Sequence, residues 1–214
     1  MAGQEKPVKK SYRTRVRIME AFIDLMADKD FDAITVKSLV EKANITRGTF
    51  YLYFSDIYEL VGYIEEILLE DMPELAPGDR PRRDPRTLPT LAECTENAWE
   101  RAWFEYYDKC SRYFNALLGP HGDQSFAGKV KKRLQEALTT SMGLDGMPTD
   151  KYQDYFINLL PQVFLFLAKE WTCDRDSGEL QLENIVTMAS MIRTGSIYQR
   201  YLELTNNGEQ GAGS

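Results

Sequence analysis

Apolar residues return at a helical spacing along almost the whole chain, while strand signals are scarce, so an all-α fold is predicted. The first helix is expected from about Tyr12 to Asp28, with Val16, Met19, Ala21, Phe22, Ile23 and Met26 on its apolar side. Thr35 stands where an N-cap belongs, ahead of a helix from Val36 to Ala43. Asn44-Ile45-Thr46 makes a tight turn, and Thr46 is a second N-cap before Arg47 to Phe54. Two short helices joined by a three-residue turn have the helix-turn-helix shape. A fourth helix is predicted from Ser55-Asp56 to about Asp71.

Five of the nine prolines (Pro73, Pro77, Pro81, Pro85 and Pro89) then fall between Met72 and Leu91. Proline lacks the N–H a helix interior needs, so residues 72–90 are read as a linker carrying Arg80, Arg82, Arg83 and Arg86. It separates an N-terminal domain, residues 1–71, from a C-terminal helical domain, residues 91–205, and the Gly-rich tail 206–214 is expected to be disordered. In the C-terminal domain the periodicity predicts a long helix from Leu91 to Leu118 and a second from Ser125 to Met142. A third is expected from Thr149 to Trp171, kinked at Pro161, and a last from Leu182 to Leu204. On the long helix Trp99, Trp103, Tyr106, Tyr107, Cys110, Tyr113, Phe114 and Leu117 share one face, opposite Arg101, Glu105, Asp108 and Arg112. The third helix is apolar nearly all round from Leu159 to Leu167, more than a single small bundle buries. A homodimer is therefore predicted, with Phe156, Leu160, Val163 and Leu167 meeting Ile185, Met188 and Ile192 of the last helix in a four-helix interface.

Chemistry is thinly supplied. The one histidine, His121, lies in a Gly-Pro-His-Gly-Asp turn with no nucleophile motif nearby, and three cysteines plus one histidine are only just the ligand count of a structural zinc. No Gly-rich phosphate loop occurs. No enzyme activity, metal or cofactor is expected. Cys94 and Cys110 are sixteen positions apart on one expected helix, about 24 Å and too far for a disulfide. The cysteines are read as small buried hydrophobes of a reduced, cytoplasmic protein, and no apolar run suggests a signal peptide or a membrane span. Charge is uneven: residues 1–55 hold ten Lys/Arg against seven Asp/Glu, whereas the whole chain carries a net charge of −7. Any polyanion is met by the N-terminal end.

Three N-terminal runs carry a resemblance: Phe31-Asp32-Ala33-Ile34-Thr35-Val36, Leu39-Val40-Glu41-Lys42-Ala43, and Thr46-Arg47-Gly48-Thr49-Phe50-Tyr51-Leu52-Tyr53-Phe54. Over about fifty residues, Tyr12 to Leu60, the chain resembles the DNA-binding domain of the tetracycline-repressor (TetR) family, and the Gly122-to-Phe126 turn is similar to that of a subset of its C-terminal domains. The resemblance implies a dimeric, ligand-responsive transcription regulator, a repressor released from a palindromic double-stranded operator by a small molecule. The alternative is a dimeric ligand-binding or scaffold protein whose degenerate helix-turn-helix binds DNA weakly.

Residue chemistry agrees with the first reading. Phe50 and Phe54 share a face and anchor the recognition helix, leaving Gly48, Thr49 and Leu52 outward, with Arg47, Tyr51 and Tyr53 at the edges. Arg47 can fork onto guanine, and Thr49 can meet a base edge or a thymine methyl. Tyr51 and Tyr53 have the length to reach phosphates; Thr35, Lys37 and Thr46 are further expected contacts. One departure is visible: Ile57 stands where the family carries a phosphate-gripping lysine, which shifts the expectation to Lys9, Lys10, Arg13 and Arg17. By the same resemblance an effector pocket is expected among Trp99, Trp103, Tyr107, Cys110, Phe114, Gln162 and Phe164. With no cation on that face, a hydrophobic, aromatic or planar ligand is expected.

Overall fold

A computed structural model describes residues 5–74, 98–144, 149–174, 178 and 180–193, and among them every regular element is helical. The helices are α1 (Glu5–Met26), α2 (Val36–Lys42), α3 (Arg47–Tyr51), α4 (Ile57–Glu70), α5 (Ala98–Lys109), α6 (Ser111–Leu117), α7 (Gln124–Leu144) and α8 (Lys151–Cys173). Residues 182–193 are helical as well and are called α9. The expected continuations over 91–97 and 194–205, most of the linker, Cys94 and the tail lie outside the described residues. The chain divides into two compact units. One comprises residues up to 71 together with 112–128; the other comprises 72–111 and the residues from 129 on.

In the first unit α1 packs on α2 and α2 on α3, around Ile18, Phe22, Leu39, Phe50, Leu60 and Ile64. α1 starts earlier than expected, and Pro7 is its third residue, where a missing N–H is tolerated. The unit also takes in α6 and the α6–α7 turn, which the sequence reading assigned to the C-terminal domain. Side-chain chemistry accounts for this. Arg112 of α6 forks onto Glu20 and Asp24 of α1, Tyr113 Oη donates to Glu20 at 2.7 Å, and Phe114 stacks with Phe126. In the turn, His121 pairs with Asp30, and its carbonyl accepts from the Phe31 N–H. A Cβ at Gly122 would collide with the Leu117 carbonyl, so the turn requires glycine. The predicted long helix is thus two helices, α5 and α6, divided at Cys110 without any proline or glycine there. These contacts with α1 set the path of α6, and local propensity does not.

In the second unit Trp99, Trp103, Phe104 and Tyr107 of α5 are buried with Leu134, Leu138 and Met142 of α7, Leu160, Phe164 and Ala168 of α8, and Ile185, Val186 and Ala189 of α9. α8 opens on Asp150, whose carboxylate accepts from the Gln153 N–H at 3.0 Å, and continues through Pro161. Glu100 and Arg193 form a fully buried pair, Arg193 Nε to Glu100 Oε1 at 2.6 Å, which the expected charged face did not include.

Candidate nucleic-acid interface

The helix-turn-helix is closed by local chemistry. Thr35 caps α2 in a reciprocal box: its Oγ1 accepts from the Ser38 N–H at 3.2 Å, and Ser38 Oγ accepts from the Thr35 N–H at 3.1 Å. The Thr35 N–H is therefore already engaged and is not left for a phosphate. At the turn the Ile45 N–H donates to the Val40 carbonyl at 3.0 Å, and Asn44 adopts φ +51°, a left-handed value that asparagine tolerates better than most residues. Thr46 caps α3, accepting from the Thr49 N–H at 3.1 Å, and the two hydroxyls lie 2.9 Å apart.

α3 ends at Tyr51, three residues short of expectation, where the Tyr53 N–H bonds only three residues back, to the Phe50 carbonyl at 2.9 Å, and tightens the turn. Phe50 and Phe54 are buried, their rings 5.9 Å apart, and Phe54 also meets Tyr63 of α4. That leaves Thr35, Lys37, Thr46, Arg47, Gly48, Tyr51 and Leu52 exposed, with Thr49 and Tyr53 half-buried. Tyr51 and Leu52 are 57% and 79% exposed, too much apolar surface to be explained by packing within the unit. A Cβ at Gly48 would meet only Thr46 Oγ1, at 3.8 Å, among the described residues, none of which demands glycine there.

The start of α4 is built for the opposite charge. Asp56 caps it, accepting from the Glu59 N–H at 2.8 Å, and Glu59 accepts from the Ser55 N–H at 2.5 Å. Hydrogen bonds from Ser55 hold the Glu59 carboxyl below the usual carboxylate range. Ile57 is turned inward and buried. Among the exposed cations, Lys42 pairs with Asp24 at 3.7 Å.

The expected ligand residues do not come together as one group. Trp99 meets Phe164, Trp103 meets Tyr107, and Phe104 stacks on Phe164, so rings fill the space between α5 and α8. Phe114 belongs to the first unit, Cys110 is half-buried, and Gln162 is exposed and donates to the Asn158 carbonyl. Burial raises the Tyr107 hydroxyl pKa well above its ordinary value, with nearby Cys173 adding to the rise. Cys173 itself is exposed, which corrects the expectation of a buried thiol. A cavity of about 180 Å³ does lie against Trp99 and Trp103, on the α7 side, lined also by Met72, Glu74, Arg133 and Thr140. Its lining includes Arg133, paired with Glu74 at 3.5 Å and Glu136 at 3.6 Å on the same wall, a cation that the expected face lacked because α7 was not counted as a wall.

The expected dimer residues differ in exposure. Leu160 and Ile185 are buried in their own unit, and Leu160 packs with Leu138 and Met142 alongside Phe156. Val163, Leu167 and Met188 are half-buried, and Ile192 is exposed. Tyr152, Tyr155, Leu159 and Phe166 are the exposed apolar residues of α8, and their spacing puts them on one stripe.

Residues 18–64 match the family model of "Bacterial regulatory proteins, tetR family". An uncharacterised HTH-type transcriptional regulator, YxbF, of Bacillus subtilis is 38% identical over 58 residues, 27% of this chain and 14% of its own length. The dhaKLM operon transcriptional activator DhaS of Lactococcus lactis is 41% identical over 59 residues, 28% of this chain and 32% of its own. The aligned segments thus span less than a third of either curated relative. A tetR-family regulator from Streptomyces coelicolor superposes with a TM-score of 0.55 at 16% identity, covering 90% of this chain and 89% of that one. A DhaS structure gives 0.52 at 18% identity, over 86% and 96%. These likenesses establish the fold, N-terminal helix-turn-helix and C-terminal helical part together. No described helix is long and apolar enough to cross a membrane. Over residues 18–64, the helix-turn-helix part, the chain is thus similar to the bacterial regulatory proteins of the tetR family.

Proposed function

We propose that the protein is a ligand-responsive transcription regulator that binds double-stranded operator DNA through α2 and α3 as a homodimer. The observation that carries this reading is the outward face of α3. Arg47, Gly48, Tyr51 and Leu52 are exposed together on a helix whose other side is locked into the core. A guanidinium without an ion pair among the described residues, aromatic hydroxyls and a bare glycine backbone suit a groove and its flanking phosphates. Two such helices related by a two-fold read half-sites about 34–36 Å apart, so the operator is near-palindromic. Contact through the Tyr152–Phe166 stripe of α8 and the exposed Met191 and Ile192 of α9 would form the dimer. The effector is aromatic and carries a polar group, since Trp99 and Trp103 share their cavity with Arg133.

The acidic start of α4 favours one competing reading, a dimeric ligand-binding or scaffold protein whose helix-turn-helix has lost DNA affinity. A mobility-shift titration against the upstream region of the protein's own gene separates the two. Arg47→Ala is expected to relax specificity at one base pair at a cost of about 1–3 kcal/mol. Tyr51→Ala is expected to weaken all sequences alike. Unchanged affinity in both variants would refute the role given to α3.

A further inference from the structure

Arg15 has surroundings that packing alone does not explain. Its guanidinium carbon lies 5.7 Å from the ring centre of Tyr53, just past α3, and 5.5 Å from that of Tyr63 on α4. Its Nε is buried without a hydrogen-bond acceptor, and the side chain forms no ion pair with any described residue. The first unit does not lack carboxylates: Glu20 and Asp24 on the same helix are taken by Arg112, and Asp24 also by Lys42. An arginine held over two ring faces has its charge stabilised and its geometry set, yet keeps its planar donors for an oxygen acceptor from outside. Two residues from Tyr51, Tyr53 ties this cation to the end of the exposed α3 face. The neighbouring start of α4 offers carboxylates instead, with Asp56 accepting from the Glu59 N–H and Glu59 from the Ser55 N–H.

We infer that Arg15, steadied by Tyr53 and Tyr63, is the backbone-phosphate contact of this DNA-binding unit, replacing the cation absent from the start of α4. The inference rests on the DNA-binding reading above. It differs from the plain charge argument, which pointed to Lys9, Lys10, Arg13 and Arg17; Arg13 and Arg17 are exposed and have no ring or ion-pair partner among the described residues.

The test is binding of the full chain to a mixed-sequence DNA duplex over a series of KCl concentrations, because non-specific affinity reports phosphate contacts alone. Arg15→Met keeps the stem against the tyrosines and removes the donors. The slope of log K against log [KCl] is expected to become shallower by about 0.9 for each protomer bound, with the melting temperature unchanged, while Arg15→Lys keeps the slope. A wild-type slope in folded Arg15→Met would reduce Arg15 to a packing residue and overturn the inference. As a readout independent of folding, duplex DNA is expected to protect Arg15 of the wild-type protein from phenylglyoxal, and modification at an undiminished rate would also overturn it. Wild-type protein with no salt-dependent DNA binding would instead remove the DNA-binding reading itself, before Arg15 is in question.

Discussion

Gly48 and Ile57 show how single residues divide the labour of the first unit. Gly48 sits in α3, where glycine costs about 0.5–1 kcal/mol relative to alanine, and no atom of the described residues would obstruct a methyl group there. Gly48→Ala is therefore expected to raise stability by about that amount in urea melts. The same variant is expected to weaken DNA binding, because the methyl would stand between the backbone and the groove. A stabilised variant with full DNA affinity would show that the glycine does not serve close approach to the groove. Ile57 was legible as a departure from the family pattern, but its burial was not, since an isoleucine at a helix start can face either way. The core contacts of α4 decide it.

At the scale of elements, caps do most of the positioning. α3 has only five residues, far below the length at which an isolated helix persists in water. Its survival rests on the Thr46 cap and on Phe50 and Phe54 in the core. Thr46→Ala is expected to cost about 1 kcal/mol, and Thr46→Ser much less, as measured by thermal melting with circular dichroism. Equal stability of all three proteins would show that the cap is redundant. Thr35 and Thr46 are visible as caps because the chemistry is local. The division between α5 and α6 is not visible, because nothing near Cys110 disfavours helix; Arg112 and Tyr113 turn the chain by binding residues some ninety positions earlier.

For the molecule as a whole, the open question is which surface faces a second copy. α8 is apolar nearly all round from Leu159 to Leu167, and the structure buries Leu160, Phe164 and Ala168 while leaving Tyr155, Leu159 and Phe166 outward. Tyr155→Asp combined with Phe166→Asp is expected to convert a dimer into a monomer in sedimentation velocity, and to abolish cooperative operator binding, without loss of helicity. A dimer that persists in the double variant would place the interface elsewhere.

What the sequence determined by itself is what depends on neighbours in the chain: the helical class, the two caps around the turn, and the face of α3 turned away from Phe50 and Phe54. Periodicity and hydrogen bonds three residues apart carry that information. Only the tertiary structure decided the rest. It put α6 with the first unit, matched Glu100 to Arg193, packed Phe104 against Phe164, and brought Arg133 to the tryptophans. It also set Arg15 between Tyr53 and Tyr63. Each of these joins residues dozens of positions apart, and a helix that is apolar or charged on several sides does not say which side will find a partner.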